Sequence, residues 1–122
     1  MFVYKVTTHK QWSDAAAIGQ FNGAAVDLMD GYIHLSTASQ LMETVRRHFH
    51  GQDDLVIVCI NDESLGDDLR WERSRGGDLF PHLYGILPTA VATELIDLPR
   101  GASGEHVFPR GDWHGHDPRS ST

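Results

Sequence analysis

Hydrophobic and polar positions alternate from the start of the chain. In FVYKVTT, residues 2–8, Phe2, Tyr4 and Val6 fall on one side and Val3, Lys5 and Thr7 on the other, the two-residue period of a strand. HKQWSDAAAIGQF changes the period. Trp12, Ala15, Ala16 and Ile18 or Gly19 recur at helical spacing, and Asn22-Gly23 supplies a break, so a helix of about three turns is predicted. Residues 24–28 read as a short connecting segment and Asp30-Gly31 as a turn. YIHLS continues as a strand with Ile33 and Leu35 on one face and Tyr32, His34 and Ser36 on the other. At Thr37 the period changes again. Thr37 and Gln40 match a capping box, and Leu41, Met42, Val45, Arg46 and Phe49 follow at helical intervals to a predicted end near His50 and Gly51.

DLVIVCIN, residues 54–61, is the most apolar and β-branched stretch, which predicts a central strand covered on both faces. NDESLGDDL reads as a turn or short helix, RWERS as a strand, and GGDLFPHLYG as a loop punctuated by glycine and proline. ILPTAVATELIDL returns to strand character, with Val91, Thr93 and Leu95 on one side. This order predicts a small single α+β domain with a mixed or mostly antiparallel sheet and two main helices. Residues 1–105 are the expected globular domain. Residues 106–122 are a tail in which only Val107, Phe108 and Trp113 are apolar enough to dock, and its last ten or so residues are expected to be mobile.

Composition narrows the class of function. The chain has 122 residues, 40% hydrophobic and 22% charged, enough for one core. No apolar run approaches bilayer length, and no uninterrupted apolar segment follows a basic start, so a cytoplasmic protein is expected, without a membrane partner. A net charge of −7 makes nucleic acid a poor partner. Cys59 is the only cysteine, which excludes an internal disulfide; within LVIVCI it reads as an inert core thiol.

Candidate chemistry concentrates in three segments. The helix predicted after Thr37 presents unpaired N–H groups and a partial positive charge beside Ser36 and Thr37, a setting for an anionic or hydroxyl-rich ligand, with His34 one strand repeat away. RWERS places Arg70, Glu72 and Ser74 opposite Trp71 and Arg73, and FPHLYG carries His82 and Tyr84. His34, His82 and Glu72 are the candidate catalytic groups, since a carboxylate beside histidines suits proton transfer or stabilisation of a developing cation. Ser36, Thr37, Trp71, Tyr84 and Lys5 are the candidate ligand-binding residues. Each has a structural alternative: Thr37 as a cap, Glu72 paired with Arg70 or Arg73, Trp71 as core, Pro81-His82 as a turn.

DGYIHLST, the RWE step and FPHLYGILP, in this order and spacing, resemble the small bacterial family labelled domain of unknown function 952, from Phe2 to about Leu98. That family resembles the ADP-ribosyltransferase fold, which implies a split arrangement of two small sheets around a cleft for NAD, the cofactor class the resemblance suggests. In catalytic members of that superfamily a first-strand arginine or histidine orients the cofactor, a Ser-Thr segment supports the nicotinamide ribose, and a late glutamate bonds a ribose hydroxyl. Ile33-His34-Leu35-Ser36-Thr37 resembles the Ser-Thr segment, and Glu72 is the available glutamate. Strand one offers Tyr4, Lys5 and Thr7 instead of arginine or histidine, and no Glu-x-Glu or Gln-x-Glu pair occurs.

Three functions follow as expectations. The first is a cleft that binds NAD or another nucleotide-like small molecule, with glycosyl or ADP-ribosyl transfer as its enzymatic form. The second is a non-catalytic interaction module, favoured by an exposed apolar surface around Trp12 and Phe21. The third is a metal-dependent hydrolase, prompted by eight histidines. The spacing of His48-x-His50 and His114-x-His116 is unfavourable for it, because i and i+2 do not share a helix face.

Overall fold

The computed structural model describes residues 1–108. The chain runs through β1 (Phe2–Thr8), α1 (His9–Ile18), β2 (Gln20–Phe21), α2 (Ala25–Asp30), β3 (Ile33–His34), α3 (Ala38–His48) and β4 (Leu55–Asn61). A 3-10 segment, Asp62–Asp68, leads to β5 (Leu69–Arg73), β6 (Leu79–Leu83), β7 (Leu87–Pro88) and β8 (Ala92–Leu98). The result is a small α+β domain of antiparallel sheets: β1-β4-β8, the two-stranded β2-β7, and β3-β6-β5.

Apolar patterning decides the centre. All of Leu55 to Ile60 in β4 is buried, as expected of a run with no polar face, and β4 lies between β1 and β8. One face of this sheet is closed by α3, whose Leu41 and Val45 pack with Tyr4, Val6, Leu55, Ile57, Cys59 and Leu98. Burial, with the charge of Glu94 adding to it, pushes the Cys59 thiol up to about 12, consistent with an inert core group. The other face packs Val3, Val56, Val58 and Ile60 against Trp12 and Ala15 of α1 and against Ile33 and Leu83 of the β3-β6-β5 sheet and the adjoining Leu35. Helix α1 begins with a capping box: Gln11 N–H donates to Thr8 Oγ1 at 3.0 Å, while Gln11 Oε1 accepts from Thr8 N–H at 3.2 Å.

Two expectations need correction. The two main helices expected are α1 and α3, but the segment 24–28, read as a connector, falls largely within a third, short helix, α2. The segment Leu79–Leu83 is β6, the middle strand of the β3-β6-β5 sheet, not a loop. Proline is tolerated there because Pro81 turns its carbonyl toward the short β3, accepting from Leu35 N–H at 3.1 Å, so the β5 side lacks no donor. The strand expected after Pro88 forms as β8, in which Leu98 is buried and Ile96 half-buried, whereas Leu95 is exposed. Within the segment expected as tail, Phe108 packs on the α3 side of the core and His106 Nε2 lies 2.7 Å from the Gln52 carbonyl oxygen. Trp113, His114 and His116 lie outside the described residues.

Candidate functional site: two histidine–carboxylate pairs at a cleft

The site grows from β-sheet register. Antiparallel pairing sets His34 opposite His82 across β3 and β6, and His82 opposite Arg70 across β6 and β5. Alternation along β5 then puts Glu72 on the same face as Arg70 and His82. Two imidazoles and one carboxylate, distant in sequence, therefore share one sheet face. Their ring centroids are 5.8 Å apart, and Tyr32 fills the angle between them, 4.6 Å from His34 and stacked on His82 at 4.1 Å.

Each histidine is oriented by an acid. His82 Nδ1 donates to Glu72 Oε1 at 2.8 Å, and the same oxygen accepts from Tyr84 Oη, also at 2.8 Å. Those two hydrogen bonds hold the Glu72 carboxyl below its ordinary value, and the carboxylate in turn pushes the Tyr84 phenol up. Arg70 lies over the Tyr84 ring at 4.8 Å. His34 contacts acids at both nitrogens: Nδ1 with Asp27 Oδ1 at 2.7 Å, and Nε2 with Asp30 Oδ2 at 2.9 Å.

Asp27 is the residue that sequence reasoning missed. Its buried carboxylate accepts from His34 Nδ1, from His34 N–H at 3.0 Å, from Ala24 N–H at 2.8 Å and from Lys5 Nζ at 2.9 Å. Burial opposes its ionisation, but the hydrogen bonds from His34 and the Lys5 charge outweigh that and hold the carboxyl well below the usual range. The tight approach is possible because residue 23 is glycine: a Cβ there would come within 2.9 Å of Asp27 Cβ, and the backbone has φ of +119°. An acid inside the apolar run AAVDLM, three residues after Ala24, was the available signal for a buried cap and ion partner.

A cleft of about 620 Å³ opens beside the edge of β1, lined by Tyr32, His34, His82, Asp30, Ser36 and Phe80 among others. That volume is in the range of small-molecule sites. Burial and the charges of Asp30, Glu72 and Asp27 raise the Tyr32 phenol above its ordinary value, which keeps it a proton donor.

The eight predicted site residues divide. His34, His82 and Glu72 converge, with Tyr84 joined through Glu72. Glu72 itself stands behind His82 and does not line the cleft. Ser36 lines it, but its hydroxyl lies 3.0 Å from Thr44 Oγ1 and its backbone bridges Tyr4. Lys5 borders the cleft, though the residue is only 4% exposed and its ammonium is taken by Asp27 and the His34 carbonyl. Thr37 and Trp71 are not at this cleft. Alternation turns Trp71 to the opposite face of β5, where it and Thr37 line a separate open recess with Glu43 and Asp78. Gln40 Oε1 accepts from Thr37 N–H at 3.0 Å, so Thr37 begins α3 as its spacing predicted.

This arrangement places the chain in a class before it suggests a reaction. The chain belongs to the family described as "Protein of unknown function (DUF952)", whose model matches residues 6–95. It is similar to protein CC0527 from Caulobacter crescentus: its X-ray crystal structure shares 43% identity at a TM-score of 0.87, covering 94% of this chain and 99% of that one. The solution NMR structure of CC0527 agrees, with 44% identity, a TM-score of 0.78, and coverage of 93% and 95%. No curated protein matches the chain. Among the described residues no helix is long and apolar enough to cross a membrane, and no group of three or more His, Cys, Asp or Glu side chains is arranged to hold a metal ion.

Proposed function

We propose that the cleft binds a nucleotide-class small molecule, NAD-like ligands included, and that His82 is the group it presents for proton transfer. The observation that carries the reading is the convergence of His34, Tyr32 and His82 on one cleft, with His82 Nδ1 fixed by Glu72. Fixing Nδ1 as a donor selects the tautomer whose Nε2 accepts a proton, and a positioned imidazole of this kind suits general base chemistry. Planar bases stack on aromatic faces, and hydroxyls and phosphates match the hydroxyl, amide and imidazole groups along the walls.

In a glycosyl or ADP-ribosyl transfer, the chain's own contribution is His82 moving the proton, with Glu72 acting through it. Glu72 does not face the ligand directly, because His82 and Tyr84 occupy its Oε1 and the residue stands outside the cleft wall. A thermal-shift panel of NAD, ADP-ribose, nucleoside monophosphates and nucleosides tests the reading. Saturating ligand is expected to raise Tm by several degrees, from about 2.7 kcal/mol of linkage at a hundredfold excess over Kd. His82→Asn should abolish the rise, and the absence of any shift at millimolar concentrations overturns the proposal.

A second reading, an interaction module, draws on a different surface. Trp12 and Phe21 are buried, so the surface that was to favour it does not exist there. Helix α2 instead exposes Val26, Leu28 and Met29, of which Val26 also lines the cleft. Concentration-dependent association in sedimentation, lost in Leu28→Ser, supports that reading; a monomer at all concentrations removes self-association as its form.

A further inference from the structure

We infer that the ligand of this cleft carries an anionic group, phosphate or carboxylate, which takes the place of Asp30 on His34 Nε2. The inference rests on the nucleotide reading above and specifies where its charge binds.

The two carboxylates on His34 differ in kind. Asp27 is buried, accepts from four donors and cannot leave without stranding Lys5 and the backbone of α2. Asp30 differs: its side chain is 41% exposed and, among the described residues, its one hydrogen-bond contact is with His34 Nε2, at 2.9 Å. Such a solvent-exposed pair holds its members together only weakly. Asp30 is the last residue of α2, and Gly31 follows with φ of +87°, a left-handed turn that ends the helix and lets this carboxylate swing with little backbone cost.

Position completes the argument. Asp30 and His34 both line the cleft, and the second imidazole, His82, has its centroid 5.8 Å from that of His34. With carboxylates at both of its nitrogens, His34 donates at Nε2 when the ring is the imidazolium, and that nitrogen borders a ligand-sized space and is met there by a side-chain carboxylate of the same chain. A carboxylate held on a donor by one exposed contact is chemically what an incoming anion offers, and phosphate would bond the same nitrogen with three further oxygens left for neighbouring donors. Asp30 then acts as an internal competitor. It lowers affinity for anionic ligands in two ways, by covering Nε2 and by adding a negative charge at the mouth, and it does neither to an uncharged one.

Isothermal titration of the full chain with AMP and with adenosine, in wild type, Asp30→Asn and Asp30→Ala, tests this. Both variants are expected to bind AMP about two- to fivefold more tightly than wild type, the range expected for loss of one exposed pair, with adenosine unchanged. Tm and circular dichroism verify folding, and Asp30→Asn keeps the side-chain shape should Asp30→Ala unfold. If AMP and adenosine bind alike in all three proteins, the inference fails while the cleft reading stands. If neither binds, the nucleotide reading fails, and titration of Asp30→Asn with inorganic phosphate and with acetate, read at the His34 imidazole nitrogens by NMR, decides the rest. Displacement of the His34 Nε2 signal, larger in the variant than in wild type, supports an anion subsite and shows whether phosphate or carboxylate is preferred. No displacement by either anion overturns it.

Discussion

The two histidine–carboxylate pairs are built in opposite senses. In Asp27–His34 the acid is buried, with its side chain 1% exposed, and the histidine is the more open partner; in Glu72–His82 the histidine is buried and the acid is half-exposed. Burial decides what each can do. An acid without water must be met by the protein at every oxygen, and Asp27 is, so it ties β1, α2 and β3 together. An exposed acid holding a buried imidazole has no such structural duty, and its effect is to aim His82. One pair ties elements of the fold together and the other is the one proposed to act in chemistry, although their histidines stand side by side.

The largest effect that separates them is on stability. Asp27→Ala should lower unfolding free energy by about 3–5 kcal/mol, because it leaves Lys5 as an uncompensated buried charge. Glu72→Ala should cost much less, as expected of a solvated acid; equal losses in urea denaturation would break the comparison. Replacing both members of the buried pair, Lys5→Met with Asp27→Leu, should recover a large part of the Asp27→Ala loss.

Acid sharpens the same contrast. With its folded carboxyl held below the ordinary value, Asp27 contributes stability that is complete above about pH 4 and is lost as pH falls below it. Asp27→Asn should therefore show a flatter acid limb in a plot of unfolding free energy against pH. A limb as steep as that of wild type would assign acid sensitivity to other carboxylates.

Binding reverses the order of the pairs. Glu72→Gln leaves a hydrogen-bond acceptor but removes the charge that orients His82, and should weaken nucleotide binding about two- to tenfold with little change in Tm. Unchanged affinity would reduce Glu72 to a surface group. Trp71→Ala, on the opposite face, should leave affinity unaltered.

A third and weaker pairing calibrates the scale. His9 Nε2 lies 2.7 Å from Asp97 and its Nδ1 3.0 Å from Asp54, all three side chains being exposed. The bond to Asp97 raises the His9 ring above its ordinary value despite some desolvation, and Asp54 adds to the shift. Its stabilisation is thus present in full below about pH 6.5 and lost as pH climbs through the raised value. His9→Ala should cost about 0.5 kcal/mol at pH 5.5 and nothing measurable at pH 9.

What sequence alone determined was periodic and local. β1, α1, β4 and β5 were legible from their patterns, as was the start of α3 at Thr37, because hydrophobic period and capping chemistry act over a few neighbouring residues. His34, His82 and Glu72 could be named as candidates from their residue types, and the matched stretch, residues 6–95, spans all three. Tertiary structure decided the rest. Pro81 disguised β6, since the cost of a proline in a strand depends on which neighbour its missing N–H would have faced. Helix α2 was hidden because six residues carry too little period to read, and it is secured by Asp27 contacts with partners as far away as Lys5. Trp71 and Glu72 are adjacent in the chain yet face opposite ways, and only strand pairing chose which of the two met His82. Side-chain type is written in the sequence, whereas the burial that makes one carboxylate a structural tie and another an orienting group belongs to the packed sheets.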